Sequence, residues 1–391
     1  MTDRTVAILR DLVAIPTVSI DSNLELITYA AERLTECGAR IMIMRDETGQ
    51  KANLFGSLGP EEDGGIVLSG HTDVVPVLDQ DWIGDPFEMR EEDGRLYGRG
   101  TCDMKGFIAA ALAMAPEFAR RDLRRPVHFA FTYDEETACF GARHLVRELE
   151  TSGFRPSVAI IGEPTMMKVI EGHKGCFEYT TSFTGRPGHG SAPDRGVNAV
   201  EYAVRYITRM MELGEAMKAR APAGSRYDPP WTTLQAGHIH GGVARNVIPG
   251  HCHVEWEMRP VANADARMVK AELASYCSDV LLPAMHAIAP EADIVTTTIG
   301  EIAGLEPVSD NEARRIVFEL TGETEADVVP FGTEAGIFQE FGMTVVVCGP
   351  GSIDQAHKQN EYVAIEQLQR CLNMLTGLAE KLETPRDNGS P

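Results

Sequence analysis

Four short apolar runs, each closed by an acid or a histidine, punctuate the chain. Ile66-Val67-Leu68 leads into His71 and Asp73, Phe129-Ala130-Phe131 into Asp134-Glu135-Glu136, Ala159-Ile160-Ile161 into Glu163, and Val345-Val346-Val347 towards His357. Runs this short and rich in Val and Ile predict buried strands, while the patterns from Phe107 to Phe118 and from Ala142 to Leu149 predict helices. Their alternation predicts an α/β sheet with helices on both faces. Ligands of open α/β sheets bind beyond the carboxyl ends of the strands, so the four endings are expected to converge on one crevice.

Between about 175 and 302 the texture changes. Alternating strands (Phe177 to Phe183, His251 to Met258, Ile294 to Ile299) flank helical stretches from Ala199 to Leu213 and from Ala266 to Leu281, the pattern of an inserted α+β domain. The expected division is 1–174 with 303–391 as one domain and 175–302 as the other, a size and number that suit a chain of 391 residues. A last helix is expected from Ile365 to Leu382, then a frayed polar tail from Glu383 to Pro391.

Composition narrows the function classes. With 43% apolar and 24% charged residues the chain reads as globular, and no run reaches the length of a membrane span. The start (Val6, Leu9, Leu12 and Val13, with Asp11 among them) is amphipathic, so folded mature sequence is expected there rather than a signal peptide. Eight scattered cysteines without a Cys-x-x-Cys pair suit a reducing cytoplasm. A formal charge of −22 argues against nucleic-acid or anionic-membrane partners, which need clustered Lys and Arg. Carboxylates gathered around divalent cations would contribute to such a surplus.

Taken singly, the motifs are ambiguous. His71-Thr72-Asp73 suits a metal-bound imidazole oriented by a second group, or two loop residues. Asp103 sits in a glycine-rich loop before a helix, but the loop has neither Walker spacing nor a dinucleotide fingerprint. Asp134-Glu135-Glu136 reads equally as an acidic surface loop or as a strand end where one carboxylate binds metal and its neighbour faces substrate. Joint occurrence decides: His71, Asp103, Glu136, Glu163 and His357 suffice for two tetrahedral zinc sites if one carboxylate bridges. His238 and His240, like His251 and His253, have the His-x-His spacing that places two imidazoles on one strand face. With no third ligand close in sequence, packing or interface roles are expected of them, and Cys102 and Cys139 are expected to be small buried fillers.

His71 to Pro76, Gly98 to Gly106, Asp134-Glu135-Glu136, Gly162-Glu163-Pro164-Thr165, Gly188 to Pro193 and Gly332-Thr333-Glu334-Ala335 together resemble, in order, the motifs of the M20 family of co-catalytic zinc peptidases and deacylases. The pattern is nearest to members acting on N2-acetyl-L-ornithine, from His173-Lys174-Gly175, Arg195 to Ala199, Gly237 to Gly242 and Gly349 to His357. The resemblance implies a mixed-sheet di-zinc catalytic domain interrupted by an α+β lid and dimerisation domain. It implies that His71 and Glu163 bind one Zn2+, Glu136 and His357 the other, and that Asp103 bridges them and is followed by a cis peptide bond; Co2+ or Mn2+ would also satisfy this set. Glu135 is then the general base, Asp73 the group that holds the His71 tautomer, and His189 a lid histidine that reaches the partner subunit's substrate. Arg259 and Asn246 match positions that hold the α-carboxylate of a small N-acyl amino acid, and Gly332 and Thr333 are expected at the substrate. The implied assembly is a homodimer through the lid domain.

Overall fold

The computed structural model describes residues 1–384 and separates into two compact units. The first comprises Met1–Gly172, Pro307–Asp327 and Thr333–Pro391, and the second His173–Glu306 with Val328–Gly332.

The first unit is built on an eight-stranded sheet in the order Arg40–Arg45, Ala52–Leu58, Val127–Thr132, Ile66–His71, Val158–Pro164, Thr344–Gly349, Val169–His173, Ala326–Val329. Its four middle strands, Val127–Thr132 to Thr344–Gly349, run parallel; the strands at Ala52–Leu58 and Val169–His173 that flank them are antiparallel to their neighbours, so the sheet is mixed. Helix Lys105–Ala119 is buried almost all round, packed between the sheet and the helices Thr2–Ala14 and Ile365–Leu382. Phe140–Ser152 and Ala335–Glu340 cover the other face. A helix can lie this close only where the sheet is bare: a Cβ on Gly162 would stand 1.9 Å from the Phe107 ring.

The second unit is a four-stranded antiparallel sheet, ordered Thr233–Gly241, His251–Arg259, Cys176–Thr184, Asp293–Ile302. Helices Ala199–Lys218 and Asn263–Tyr276 pack on one face over Phe183, Val254, Trp256 and Met258. Asn198 caps the first helix, its side chain accepting from the Val200 and Glu201 amides at 3.1 and 3.3 Å.

Three expectations need correction. The helix expected from Ala266 to Leu281 ends at Tyr276, and a π-helical turn, Cys277–Leu281, leads into Leu282–His286. Pro283 lacks the N–H that would bond one turn back, which loosens the ladder there. The strand Thr233–Gly241 was not among the strands expected from apolar alternation, although the His238-x-His240 spacing allowed one: as a sheet edge exposed along most of its length it shows no such alternation. The polar tail is fastened at its start, where Glu383 pairs with Arg121 and the Thr384 amide donates to the Asp122 carbonyl at 2.8 Å; the tail from residue 385 onward lies outside the described residues. All eight cysteines are free thiols, with Cys102 and Cys139 buried. Among the described residues no helix is long and apolar enough to cross a membrane.

Candidate metal centre

Parallel strands bring all their carboxyl ends to one edge, and the four strands flagged by their endings are neighbours in the sheet. His71 closes Ile66–His71, Glu163 lies near the end of Val158–Pro164, Glu135 and Glu136 follow Val127–Thr132, and His357 follows Thr344–Gly349. Asp103 comes from the loop before helix Lys105–Ala119 and forms a cis bond to Met104.

Asp103 lies between the two histidines. Its Oδ1 is 3.0 Å from His71 Nε2 and its Oδ2 is 3.3 Å from His357 Nε2. His357 Nε2 is also 3.0 Å from Glu136 Oε2, and His71 Nε2 is 3.6 Å from Glu163 Oε1. Ligand-type atoms of His71, Asp103 and Glu136 lie within 4.8 Å of one another, as do those of His71, Glu135 and Glu163. Each oxygen of one carboxylate thus faces a different histidine, the layout of a bridging ligand.

The electrostatics call for cations. Burial pushes Glu135 and Glu163 well above the usual carboxylate range, with His71 drawing both down and the other acids pushing both up. Burial also raises Glu136, and Asp103 adds to the rise. Asp103 goes the other way: burial would raise it, but hydrogen bonds from His357 and His71 hold it far below the usual range. His357 is raised to about 10 by its bonds to Asp103 and Glu136. His71 is raised well above the usual value although burial opposes this, because Glu163 and Asp103 favour its positive form. Divalent ions would supply the positive charge that these protons supply, and would let both imidazoles bind neutral. Glu163 Oε1 is buried without a hydrogen-bond partner, an acceptor that a cation would satisfy.

Around this cluster is a second ring of contacts, most of it invisible in the sequence. His71 Nδ1 bonds the Asp73 backbone carbonyl at 2.9 Å, nearer than the Asp73 carboxylate at 3.6 Å. The carboxylate instead accepts from the Glu135 and Glu136 amides at 3.1 and 3.3 Å and from Ser19 Oγ at 2.8 Å. Asp73 therefore orients His71 through its main chain and Glu135-Glu136 through its side chain. Asp134 is engaged by Lys51, which leaves the other two acids of the triplet for the centre.

Glu361 is fully buried and accepts from the amides of Gly100, Cys102 and Asp103 at 3.0, 2.8 and 3.0 Å and from Arg99 Nη1 at 2.8 Å. It shapes the glycine-rich loop that presents Asp103. Glu334, also buried, accepts from Ser69 Oγ and Thr132 Oγ1 at 2.6 and 2.7 Å, joining the two strands that lead to His71 and Glu135. Glu334 stands in the motif Gly332-Thr333-Glu334-Ala335, which places a carboxylate near the site with a structural role as open as a functional one; Glu361 carries no such local mark, and its partner Arg99, inside the glycine-rich motif, was the only hint of it.

The remaining expected site residues are placed as follows. In the second unit, His189 lies opposite Val247, its Nδ1 is 2.8 Å from Ser191 Oγ, and the Gly190 amide bonds the Asn246 carbonyl at 2.8 Å, so His189 and Asn246 sit side by side. Arg259 is not a bare guanidinium: Nε and Nη2 donate to Glu257 Oε2 at 2.9 and 2.7 Å. Gly332 ends the Val328–Gly332 segment of that unit. Thr333, in the first unit, is buried and accepts from the Ala335 amide at 3.1 Å at the start of helix Ala335–Glu340.

Residues 67–381 match the family model described as peptidase family M20/M25/M40. The chain is 36% identical over 378 residues to acetylornithine deacetylases of Salmonella paratyphi B and Salmonella newport, covering 95% of this chain and 96% of each relative. Among solved structures it resembles the aminopeptidase PepT of Bacillus cereus, with a TM-score of 0.72 at 19% identity over 98% of this chain and 99% of that one. It also resembles the YXEP protein of Bacillus subtilis, a dinuclear metal binding peptidase, with a TM-score of 0.63 at 18% identity over 98% and 99% of the two chains. At such identities the structural likeness speaks for the fold.

Proposed function

The chain belongs to peptidase family M20/M25/M40, a family of hydrolases, and from that membership we propose that it is a metal-dependent deacylase converting N2-acetyl-L-ornithine and water to L-ornithine and acetate, a step in arginine synthesis in the cytoplasm. The observation that carries the substrate is the 36% identity to acetylornithine deacetylases along 95% of the chain.

In this reading His71 and Glu163 would hold one metal ion and Glu136 and His357 the other, with Asp103 shared between them. Bound ions would polarise the amide carbonyl and acidify the attacking water. Glu135 accepts the proton from that water as it attacks and delivers it to the departing α-nitrogen, so the same carboxylate serves as base and then as acid. Asp73 holds the Glu135 and Glu136 amides and so fixes where the base stands. His189 is the candidate donor to the developing oxyanion. Arg259 and Asn246 are the candidates for the substrate carboxylate, with Gly332 and Thr333 beside the substrate. Arg259 would exchange its bond to Glu257 for a two-pronged one to the ligand. The second unit would serve as lid and as the contact of a homodimer. Zinc fits a mixed imidazole and carboxylate set, as do cobalt and manganese.

The test is a panel of N2-acetyl-L-ornithine, N-succinyl-diaminopimelate, other N-acyl amino acids and dipeptides, assayed on metal-reconstituted protein. Acetylornithine should give the highest kcat/KM. A clear preference for another member would transfer the protein to a related M20 deacylase or peptidase activity and overturn the substrate assignment.

A further inference from the structure

Two His-x-His pairs are unrelated in sequence, but the sheet register of the second unit brings them together. Directly opposed residues of antiparallel strands share a face. His240 is opposite His253, and His238 is opposite Glu255. Along His251–Arg259 the core takes Cys252, Val254, Trp256 and Met258, which leaves His253 and Glu255 on the open face. His238 and His240 are exposed, with rings nearly parallel and centroids 6.4 Å apart. His238 Nδ1 is 3.2 Å from Glu255 Oε1, and His253 Nδ1 is 3.0 Å from Ser182 Oγ. The third and fourth ligands missing from each pair in sequence are supplied by the neighbouring strand.

We propose that His238, His240, His253 and Glu255 form a binding site for a divalent transition-metal ion of the zinc, nickel or copper class. Three imidazoles and a carboxylate are a four-coordinate set, and imidazole selects such ions over magnesium or calcium. Directly opposed residues have Cβ atoms ~4.5–5.5 Å apart, which lets His240 and His253 reach one ion between them. His238, two residues along the same face, closes the third position by rotating about its side-chain bonds, and exposed side chains pass between rotamers freely. Glu255 is hydrogen-bonded to His238 Nδ1, so it fixes the tautomer that presents Nε2, or completes the set itself. All four ligands come from two adjacent strands of one sheet. The site therefore needs none of the first unit's donors.

The full chain, stripped with a chelator and dialysed against a buffered micromolar Zn2+ solution, is analysed for zinc per chain. The H240A/H253A variant should carry one ion fewer than the wild type, whatever number the first unit retains, with an unchanged near-ultraviolet circular dichroism spectrum. Equal zinc contents overturn the proposal. Should the double variant misfold, His240→Gln is compared by electron paramagnetic resonance after one equivalent of Cu2+ is added to zinc-loaded protein. Loss of an imidazole nitrogen coupling supports the site, and identical spectra overturn it.

Discussion

Residue by residue, the centre consists of donors and of the groups that aim them, and substitution separates the two. Glu135→Gln keeps the shape of the side chain and removes its ability to accept a proton. We expect turnover to fall by roughly 10²- to 10⁴-fold while metal content by elemental analysis stays at the wild-type level. Glu361→Ala acts differently, because it removes the counter-charge of the buried Arg99 guanidinium and the acceptor of three backbone amides. Removing one partner of a buried ion pair costs about 3–5 kcal/mol, so a lower denaturant midpoint should accompany weaker metal retention. An unchanged midpoint would mean that Glu361 does not hold the loop.

Among the elements, the four parallel strands show why part of the site was legible in sequence. Each carries its functional residue at its carboxyl end or is followed by it within eight positions, so a one-dimensional signal, apolar run then acid or histidine, coincides with a three-dimensional one. Asp103, which ends no strand, stood out through the glycines around it. Glu361 and Glu334 could not be found this way, since their partners lie 258 and more positions away in the first case and 202 and 265 in the second. The edge strand Thr233–Gly241 was equally silent, because only its first half, at Leu234 and Ala236, meets the core, and the remainder is exposed and has no reason to alternate.

Packing at this scale gives two further tests. Gly162→Ala would drive a methyl into the Phe107 ring, and such overpacking costs about 1–3 kcal/mol, to be seen as a lower midpoint in thermal unfolding. His128, on Val127–Thr132, stacks on Phe55 at 4.8 Å, and burial lowers its pKa to about 4. The folded protein thus refuses a proton that the unfolded chain accepts near its ordinary value of about 6.5. Its contribution is complete above that value and is lost as the pH falls from there to about 4. Over that window the His128→Gln variant should show a stability slope shallower by about 1.4 kcal/mol per pH unit at most, the linkage of one proton; equal slopes would refute the assignment.

For the whole molecule, the two units divide the chemistry unequally. Every donor assigned to the two ions lies in the first, while His189, Asn246 and Arg259 lie in the second. Within the first unit the donors are also unequal in depth. The His71 side chain is 1% exposed and that of Glu163 5%, whereas that of His357 is 54% exposed. Two ions bridged by a single aspartate would therefore leave through different doors. With a chromophoric chelator in stopped flow, release should be biphasic, and His357→Ala should accelerate the fast phase and spare the slow one. The cell would then hold an enzyme that surrenders half its metal quickly when supply falters and recovers by rebinding one ion to a half that never emptied.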